Sequence, residues 1–231
     1  MAIISLKEYI DLDFAEKEAY NRLRTNLLFT SHDTKVVGIT SCIPGEGKSS
    51  VTMNLSASMA QFGKKVIFID ADLRKSVLLG RYKLSKPVKG LSHYLSGQSE
   101  EEEVLYKSDI DNLDLIFAGP MPPNPSEVLG SKKFNTLIHS LRERYDYIFI
   151  DTPPIASVID PIVISNTCDG MILVIEEGTV SNKIARNAVK ELNKADSKVL
   201  GAVLNKVDID KNSVYGEYYG KYYGKIDGKV R

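Results

Sequence analysis

The chain of 231 residues has two cysteines, no tryptophan and no long hydrophobic run. Cys42 and Cys168 supply neither the number nor the spacing of a disulfide framework or a zinc site, so we expect two reduced, small apolar side chains. No apolar stretch approaches the roughly 18 residues of a membrane-spanning helix. The start, MAIISLKEYIDLDF, lacks the basic and then apolar segments of a secretory signal. We therefore expect a cytoplasmic protein.

The chain also lacks an excess of charge of either sign. Its 30 lysine and arginine residues balance its 30 aspartate and glutamate residues, and 43% of the residues are hydrophobic. Such a composition is ordinary for a globular protein and gives no global attraction to nucleic acid or to anionic lipid. We expect no nucleic-acid partner, and other partners must be inferred from local sites.

Short runs rich in valine and isoleucine alternate along the chain with segments of helical periodicity. This order predicts an α/β fold of the P-loop NTPase kind, with a mainly parallel, twisted sheet and helices on both faces. The length favours one domain, at residues 1–207, beginning with an amphipathic helix at about residues 14–30. The other predicted helices span 50–62, 131–145 and 182–193, and the predicted strands are KVVGITS, KKVIFID, LDLIFAG, YDYIFID, GMILVIE and KVLGAVLN.

Residues 208–231 differ sharply in composition from the rest of the chain. This segment is rich in glycine and lysine and has almost no aliphatic side chains, so it cannot bury a core and is expected to be a flexible tail. By composition alone it is a low-complexity tail. Five of the 12 tyrosines of the chain lie in it within 9 residues: Tyr215, Tyr218, Tyr219, Tyr222 and Tyr223.

The segment SCIPGEGKSS lies between a predicted strand and a predicted helix, which is the setting of a phosphate-binding loop. Backbone N–H groups around its glycines and the helix N-terminus can bind phosphates. Lys48 is expected to reach the β- and γ-phosphates of ATP, and the Ser49 hydroxyl is expected to bind Mg²⁺. The pattern GxxxxGK[ST] is not fully met, since Cys42 takes the first glycine position; a glycine-rich turn that binds nothing is the alternative. The predicted nucleotide-binding residues are Pro44, Gly45, Glu46, Gly47, Lys48, Ser49 and Ser50.

Carboxylates follow two other predicted strands. Asp70 and Asp72 end the run VIFID, and Asp151 ends YIFID. The carboxyl ends of parallel strands face the ligand crevice, and their hard oxygen atoms suit Mg²⁺. A lone aspartate there is usually a turn or cap residue, but two such strand ends beside a phosphate loop indicate a metal site. Asn205, after the last strand, is either a reader of the nucleotide base or a turn residue.

Taken together and in this order, these segments resemble the bacterial tyrosine kinases, specifically the cytoplasmic kinase subunits of capsular and exopolysaccharide synthesis of the CapB/CpsD type. The resemblance covers nearly the whole chain. The segment GPMPPNPSEVLGS is the most telling of them, because nucleotide binding in general does not require it. The matching segments are EAYNRLRTN, PGEGKSS, FIDADLRK, GPMPPNPSEVLGS, FIDTPP and the tyrosine cluster.

The resemblance implies a protein-tyrosine kinase that uses Mg-ATP and phosphorylates its own C-terminal tyrosines and other proteins. It further implies regulation of polysaccharide polymerisation and export, and a separate membrane-spanning activator that recruits the chain to the inner face of the membrane. Ser49, Asp70 and Asp151 would hold Mg²⁺, and Asp72 would be the second carboxylate of its motif.

Catalysis needs a proton acceptor, because the tyrosine hydroxyl has a pKa of about 10. Asp70 is the candidate, assisted by Asp72, while Lys48 and Asp151 complete the catalytic set. Arg74 either holds the carboxylates or phosphates, or forms a plain surface ion pair.

The family's N-terminal motif for self-association, in a possible ring, is ExxRxxR. Glu18 and Arg24 fit this pattern, whereas Asn21 occupies the middle position with Arg22 beside it. The resemblance therefore assigns Glu18, Arg22 and Arg24 to oligomer contacts. Their alternative role is that of a solvated helix face.

The main rival is an ATPase switch of the ParA/MinD type. Its loop carries KGGxGK, but Ile43 and Pro44 stand here in place of the signature lysine and the next glycine. The tail also has no apolar stripe with which to bind membrane. A scaffold that binds ATP without turnover is a third possibility, disfavoured by the complete set of charged site residues.

Overall fold

The computed structural model describes residues 3–7, 10–30, 33–81 and 88–208. The tyrosine cluster of the tail lies outside the described residues, so its predicted flexibility and the domain boundary at 207 stay predictions. Across the described ranges, no helix combines the length and the apolar character needed to cross a membrane.

The described chain alternates strands and helices, as the hydrophobic pattern predicts. The strands are β1 (Ile3–Ile4), β2 (Val36–Ser41), β3 (Val66–Asp70), β4 (Leu105–Ser108), β5 (Leu113–Ile116), β6 (Tyr147–Asp151), β7 (Gly170–Glu176) and β8 (Val199–Asn205). The helices are α1 (Phe14–Thr30), α2 (Lys48–Gln61), α3 (Leu78–Arg81), α4 (Leu91–Leu95), α5 (Glu101–Val104), α6 (Pro125–Leu129), α7 (Lys132–Arg142), α8 (Asp160–Ser165) and α9 (Asn182–Lys194).

The eight described strands form one sheet in the order β1-β4-β5-β3-β6-β2-β7-β8. All neighbouring strands are parallel except β4 and β5, which are antiparallel. This arrangement confirms the predicted mainly parallel sheet. The central strands β3, β6 and β2 end at one edge of the sheet, where ligand crevices of such folds lie.

The sheet is covered on both faces, and every residue of its central strands β2, β3 and β6 is buried. Val66 and Phe68 of β3 belong to the core shared with α1 and α2. The alternate residues Ile67 and Ile69 belong to the core that includes α7. Because side chains alternate between the two faces of a strand, β3 contributes to two separate hydrophobic layers, as expected for a parallel sheet buried on both sides.

The short elements between β3 and β5 were not predicted. The sequence there indicates only a polar region, whereas the structure has β4 and the helices α3, α4 and α5 in it. Segments of four or five residues complete too few turns or alternations to show a period. The predicted helix at 50–62 also begins earlier, at Lys48.

The helix α7 offers a direct test of this packing. Leu137 is fully buried in the core on its face of the sheet. Leu137→Ala should lower the free energy of unfolding by about 2–5 kcal/mol, because it leaves a cavity. Denaturant unfolding measures this change, and Asn135→Ala at an exposed position of the same helix is the control. Equal midpoints for the two variants would contradict the assigned core.

Candidate active site

The loop between β2 and α2 has the backbone of a phosphate-binding loop. Gly45 and Gly47 have φ angles of 92° and 86°, a left-handed conformation that favours glycine. A Cβ atom on Gly47 would lie 2.2 Å from Asn205 Nδ2, so only glycine fits. The 14-residue helix α2 begins immediately after, at Lys48. Its N-terminal N–H groups and partial positive charge therefore face the end of this loop, where a phosphate can bind.

The side chain of Glu46 braces the loop from inside. It is fully buried, and its two oxygen atoms accept hydrogen bonds from the backbone N–H groups of Ile43 at 2.7 Å and Glu176 at 3.2 Å. The sequence predicts Glu46 as a nucleotide-binding residue. In the structure its carboxylate holds the loop against the end of β7, so a contact with nucleotide would come from its backbone.

The end of β8 braces the same loop from outside. Asn205 Nδ2 donates to the Glu46 carbonyl at 2.8 Å, and Lys206 Nζ donates to the Gly45 carbonyl at 2.8 Å. Asn205 therefore lies at the phosphate loop, as the nucleotide-binding interpretation requires. Its contact with a base stays a prediction, while its contact with the loop is direct.

Strand register brings the two strand-end carboxylates together. Asp70 of β3 pairs with Asp151 of β6 across the sheet, and both side chains are buried. Ser76 Oγ donates a hydrogen bond to Asp70 Oδ2. The backbone N–H of Asp72 donates to Asp70 Oδ1 at 3.2 Å. The loop after β3 thus folds back on its own first carboxylate.

The Lys48 ammonium joins the phosphate loop to these carboxylates. Its Nζ lies 3.3 Å from Asp72 Oδ2, 3.4 Å from Asp151 Oδ1 and 3.2 Å from Ser49 Oγ. Residues predicted from three separate segments therefore form one cluster. Pro44 and Ser50 flank it in the loop and the first turn of α2.

Burial dominates the electrostatics of the cluster. Burial, reinforced by the charge of Asp151, raises the pKa of Asp70 to about 7. Burial also raises the pKa of Asp151, although Lys48 and the Ser49 hydrogen bond oppose this shift. Burial lowers the pKa of Lys48, but Asp151, Asp72 and Asp70 outweigh it and the net shift is upward. A carboxylate with a pKa near neutrality is suited to accept a proton.

The cluster fits a magnesium ion that is shared with a nucleotide. Mg²⁺ usually takes one or two carboxylates and completes its shell with water and substrate phosphates. Ser49, Asp70 and Asp151 supply such hard oxygen atoms. Within the described ranges, no group of three or more His, Cys, Asp or Glu side chains is arranged to hold a metal ion.

The residues assigned to self-association lie on α1. Arg24 Nη1 donates to Ser58 on α2, to the carbonyl at 3.1 Å and to Oγ at 3.0 Å, and its guanidinium lies 4.7 Å from the Phe62 ring centre. Glu18 accepts from Asn21 at 2.8 Å. Arg22 is exposed. Arg24 thus joins α1 to α2 within one chain, and its role between chains stays a prediction.

The similarity to known proteins agrees with this site. The AAA domain family model matches residues 34–206. The chain is 42% identical to tyrosine-protein kinase CpsD of Streptococcus pneumoniae serotype 4 over 207 residues, which are 89% of this chain and 91% of that protein. It is also 42% identical to tyrosine-protein kinase YwqD of Bacillus subtilis over 203 residues, 87% of this chain and 85% of that one. The chain belongs to the bacterial tyrosine kinase family. The resemblance inferred from the motifs is thereby confirmed.

Solved structures separate the bacterial tyrosine kinases from the rival switch. The chimerical protein CapA2B2 matches with a TM-score of 0.82 and 29% identity, covering 90% of this chain and 95% of that chain. The septum site-determining protein MinD of Pyrococcus horikoshii, complexed with Mg-ADP, has a TM-score of 0.65 and 25% identity, covering 81% and 76%. The MinD-type alternative therefore shares the fold, whereas the higher sequence identity to the tyrosine-protein kinases, 42%, favours the kinase.

Several residues at the kinase site were not predicted. Ser76 contacts Asp70, and Lys206 contacts the phosphate loop. Ser126 and Asp160 accept hydrogen bonds from Arg74, which lies two residues after Asp72. The segment GPMPPNPSEVLGS was the one available signal, since it contains Ser126 and has no place in generic nucleotide binding.

The buried charge of Asp70 should make stability depend on pH. Its pKa is about 7 in the fold and about 3.9 when unfolded, so the folded state binds more protons between these values and loses stability as pH rises through them. In nucleotide-free protein with EDTA, Asp70→Asn should raise the melting temperature at pH 8 by about 2–4 °C for each kcal/mol relieved. This gain should shrink towards pH 4.

The matched control is Asp111→Asn, which removes a negative charge at an exposed position. Scanning calorimetry at several pH values measures both variants beside the wild type. A gain for Asp70→Asn that is the same at pH 5 and pH 8 would contradict the raised pKa.

Proposed function

We propose that this chain transfers the γ-phosphoryl group of Mg-ATP to tyrosine hydroxyls, first of all to its own C-terminal tyrosines, and that it thereby regulates capsular or extracellular polysaccharide synthesis. One observation carries the proposal above all. The phosphate-loop lysine lies within 3.4 Å of carboxylates from both neighbouring strand ends. Relatives with about 40% identity over most of the chain bear the name tyrosine-protein kinase, which supports the choice of acceptor.

Each side chain of the cluster has a role that follows from its chemistry. Lys48 and the loop N–H groups would bind the phosphates and stabilise the charge that develops during transfer. Ser49, Asp70 and Asp151 would hold Mg²⁺, which supplies positive charge at the phosphates. Asp70, assisted by Asp72, is the proposed acceptor for the tyrosine proton, since a carboxylate beside the reacting phosphate can take up that proton as transfer proceeds. The tyrosine oxygen takes the phosphoryl group, and ADP leaves.

The position of the last strand supports the tail as a substrate. Asn205 and Lys206 contact the phosphate loop, so the last described residues before the tyrosine segment lie beside the candidate site. An extended chain spans at most about 3.5 Å per residue. Tyr215 can thus lie up to about 25 Å from Asp208, and Tyr223 up to about 50 Å. Tyr218, Tyr219 and Tyr222 fall between these limits. Other proteins with accessible tyrosines are further substrates in this proposal.

A membrane-spanning activator would bring this chain to the membrane. Tyrosine-protein kinase etk of Escherichia coli is 35% identical over 192 residues, which are 26% of that protein. In that relative the matching region is thus joined to a much longer chain. We expect a separate partner to take this place here and to recruit the kinase to the inner face of the membrane.

Self-association would let one chain receive the tail of the next. Phe14 and Phe29 of α1 are 59% and 83% exposed, and they supply apolar area beside Glu18, Arg22 and Arg24. A head-to-tail contact of this kind closes into a ring when its rotation permits. Several phosphotyrosines, each of about −1.5 to −2 charges, would be repelled by the acidic crevice and would loosen the assembly.

The phosphate and metal residues give the first functional test. Lys48→Met, Asp70→Asn and Asp151→Asn should each reduce tyrosine phosphorylation by at least about 100-fold, since each removes a group at the reacting phosphate. Purified chains are incubated with Mg-ATP, with and without the cytoplasmic segment of a cognate activator, and phosphate is mapped by mass spectrometry. Lys190→Met on the exposed surface of α9 is the matched control. Wild-type phosphotyrosine in a folded variant would remove that residue from the mechanism.

The assembly prediction compares phosphorylation states. Lys48→Met and the variant with all five tail tyrosines changed to Phe should assemble, whereas the phosphorylated wild type should be monomeric. Light scattering after size-exclusion chromatography measures the masses across concentrations. Arg22→Ala and Arg24→Ala test the α1 contacts, and Arg24→Ala also removes the contact with Ser58. Equal masses in both phosphorylation states would contradict the switch.

A further inference from the structure

The loop that follows Asp70 and contains Asp72 is anchored by Arg74 to remote parts of the chain. Arg74 Nε donates to Asp160 Oδ2 at 2.7 Å, and its Nη2 donates to Asp160 Oδ1 at 3.0 Å. This is the two-bonded geometry for which a guanidinium is suited and an ammonium is not. Nη2 also donates to Ser126 Oγ at 3.0 Å, and Ser126 Oγ donates to Asp160 Oδ1 at 2.6 Å. We call these three side chains the arginine clamp.

The clamp joins the loop after β3 to two helices that are distant in sequence. Ser126 lies in α6 and Asp160 begins α8. Asp160 is fully buried, whereas the Arg74 side chain is 36% exposed. A buried carboxylate needs a partner, so Arg74 is held in place by the charge it neutralises. A plain surface ion pair, one of the two roles left open by the sequence, does not fit a fully buried acceptor.

The backbone around Arg74 carries this constraint to the site. Asp72 Oδ1 accepts a hydrogen bond from the N–H of Lys75 at 3.0 Å, and its Oδ2 lies 3.3 Å from Lys48 Nζ. Ser76 donates to Asp70. Arg74 thus lies in a tight loop in which the two residues that follow it, Lys75 and Ser76, donate hydrogen bonds to the two carboxylates. Anchoring its side chain fixes the orientation of both.

We infer that Arg74 is a positioning residue for phosphoryl transfer, and that Ser126 and Asp160 are the fixed points against which it aligns Asp70 and Asp72. This inference rests on the proposed kinase function. It also gives a physical role to the segment GPMPPNPSEVLGS, which places Ser126 in the first turn of α6. The clamp touches neither the phosphate loop nor Lys48 directly, so it should govern the rate of transfer more than the binding of nucleotide.

The experiment compares Arg74→Gln, Arg74→Lys, Asp160→Asn and the double variant Arg74→Gln/Asp160→Asn with Lys75→Gln. Lys75 is an exposed neighbour whose side chain is outside the clamp. A small displacement of a catalytic group can cost about 100-fold in rate. We expect kcat to fall about 10- to 100-fold in Arg74→Gln, with the Kd of a fluorescent ATP analogue changed by less than about threefold, and a smaller fall in Arg74→Lys.

The double variant separates positioning from folding. Arg74→Gln alone leaves the buried Asp160 charge without its partner, whereas the double variant removes both charges and should fold well. If the three side chains of the clamp act as one unit, the kcat of the double variant should be no lower than the kcat of the worse single variant. A folded double variant with the kcat of Lys75→Gln would overturn the inference, as would equal losses of kcat and nucleotide affinity.

A second readout does not depend on kinase activity. The side-chain NMR signal of Lys48, assigned by its loss in Lys48→Met, reports the contact with Asp72. It should shift in Arg74→Gln and remain in place in Lys75→Gln. An unshifted signal in Arg74→Gln would overturn the clamp even if the chain proved not to be a kinase. Absence of phosphotyrosine from the wild type would instead contradict the proposed function and leave this measurement to decide the clamp.

Discussion

The contact of one ammonium group with buried carboxylates organises the whole catalytic edge of the sheet. Asp70 and Asp151 lie side by side because β3 and β6 pair in register, and both are buried. Two carboxylates in that position repel each other and lose their hydration. Lys48 Nζ, 3.4 Å from Asp151 and 3.3 Å from Asp72, supplies the opposing charge. The buried carboxylates thus lower the stability of the fold. Their negative charge suits a metal ion, and the positive charge of Lys48 suits phosphates.

The structure supports this cluster from outside on two flanks. On the nucleotide flank, the Glu46 carboxylate and the side chains of Asn205 and Lys206 fix the phosphate loop against the ends of β7 and β8. On the acidic flank, Arg74 fixes the loop after β3 against α6 and α8. In both cases a loop of the site is fixed by hydrogen bonds to residues from remote parts of the chain. Rigid support of this kind is what precise positioning requires.

The septum site-determining protein MinD has the same fold, so the fold alone does not give the function. The decisive differences lie within the phosphate loop and after it. Ile43 and Pro44 replace the residues that define the switch loop, and Cys42, buried in the core, replaces the first glycine of the general pattern. Burial raises the pKa of the Cys42 thiol to about 11, so its role there is packing rather than reactivity.

The sequence by itself determined the features that depend on neighbouring residues. The alternation of apolar runs predicted the mainly parallel sheet. The glycines between a predicted strand and a predicted helix predicted a phosphate-binding loop, and in the structure Gly45 and Gly47 of this loop are left-handed. Only the tertiary structure decided which distant groups meet. It paired Asp70 with Asp151, turned the Glu46 carboxylate inward and joined Arg24 to Ser58 and Arg74 to Asp160. A backbone conformation or a hydrophobic period is set over a few residues and can be seen in the sequence. The partner of a charged side chain is set by strand register and helix packing across the whole domain.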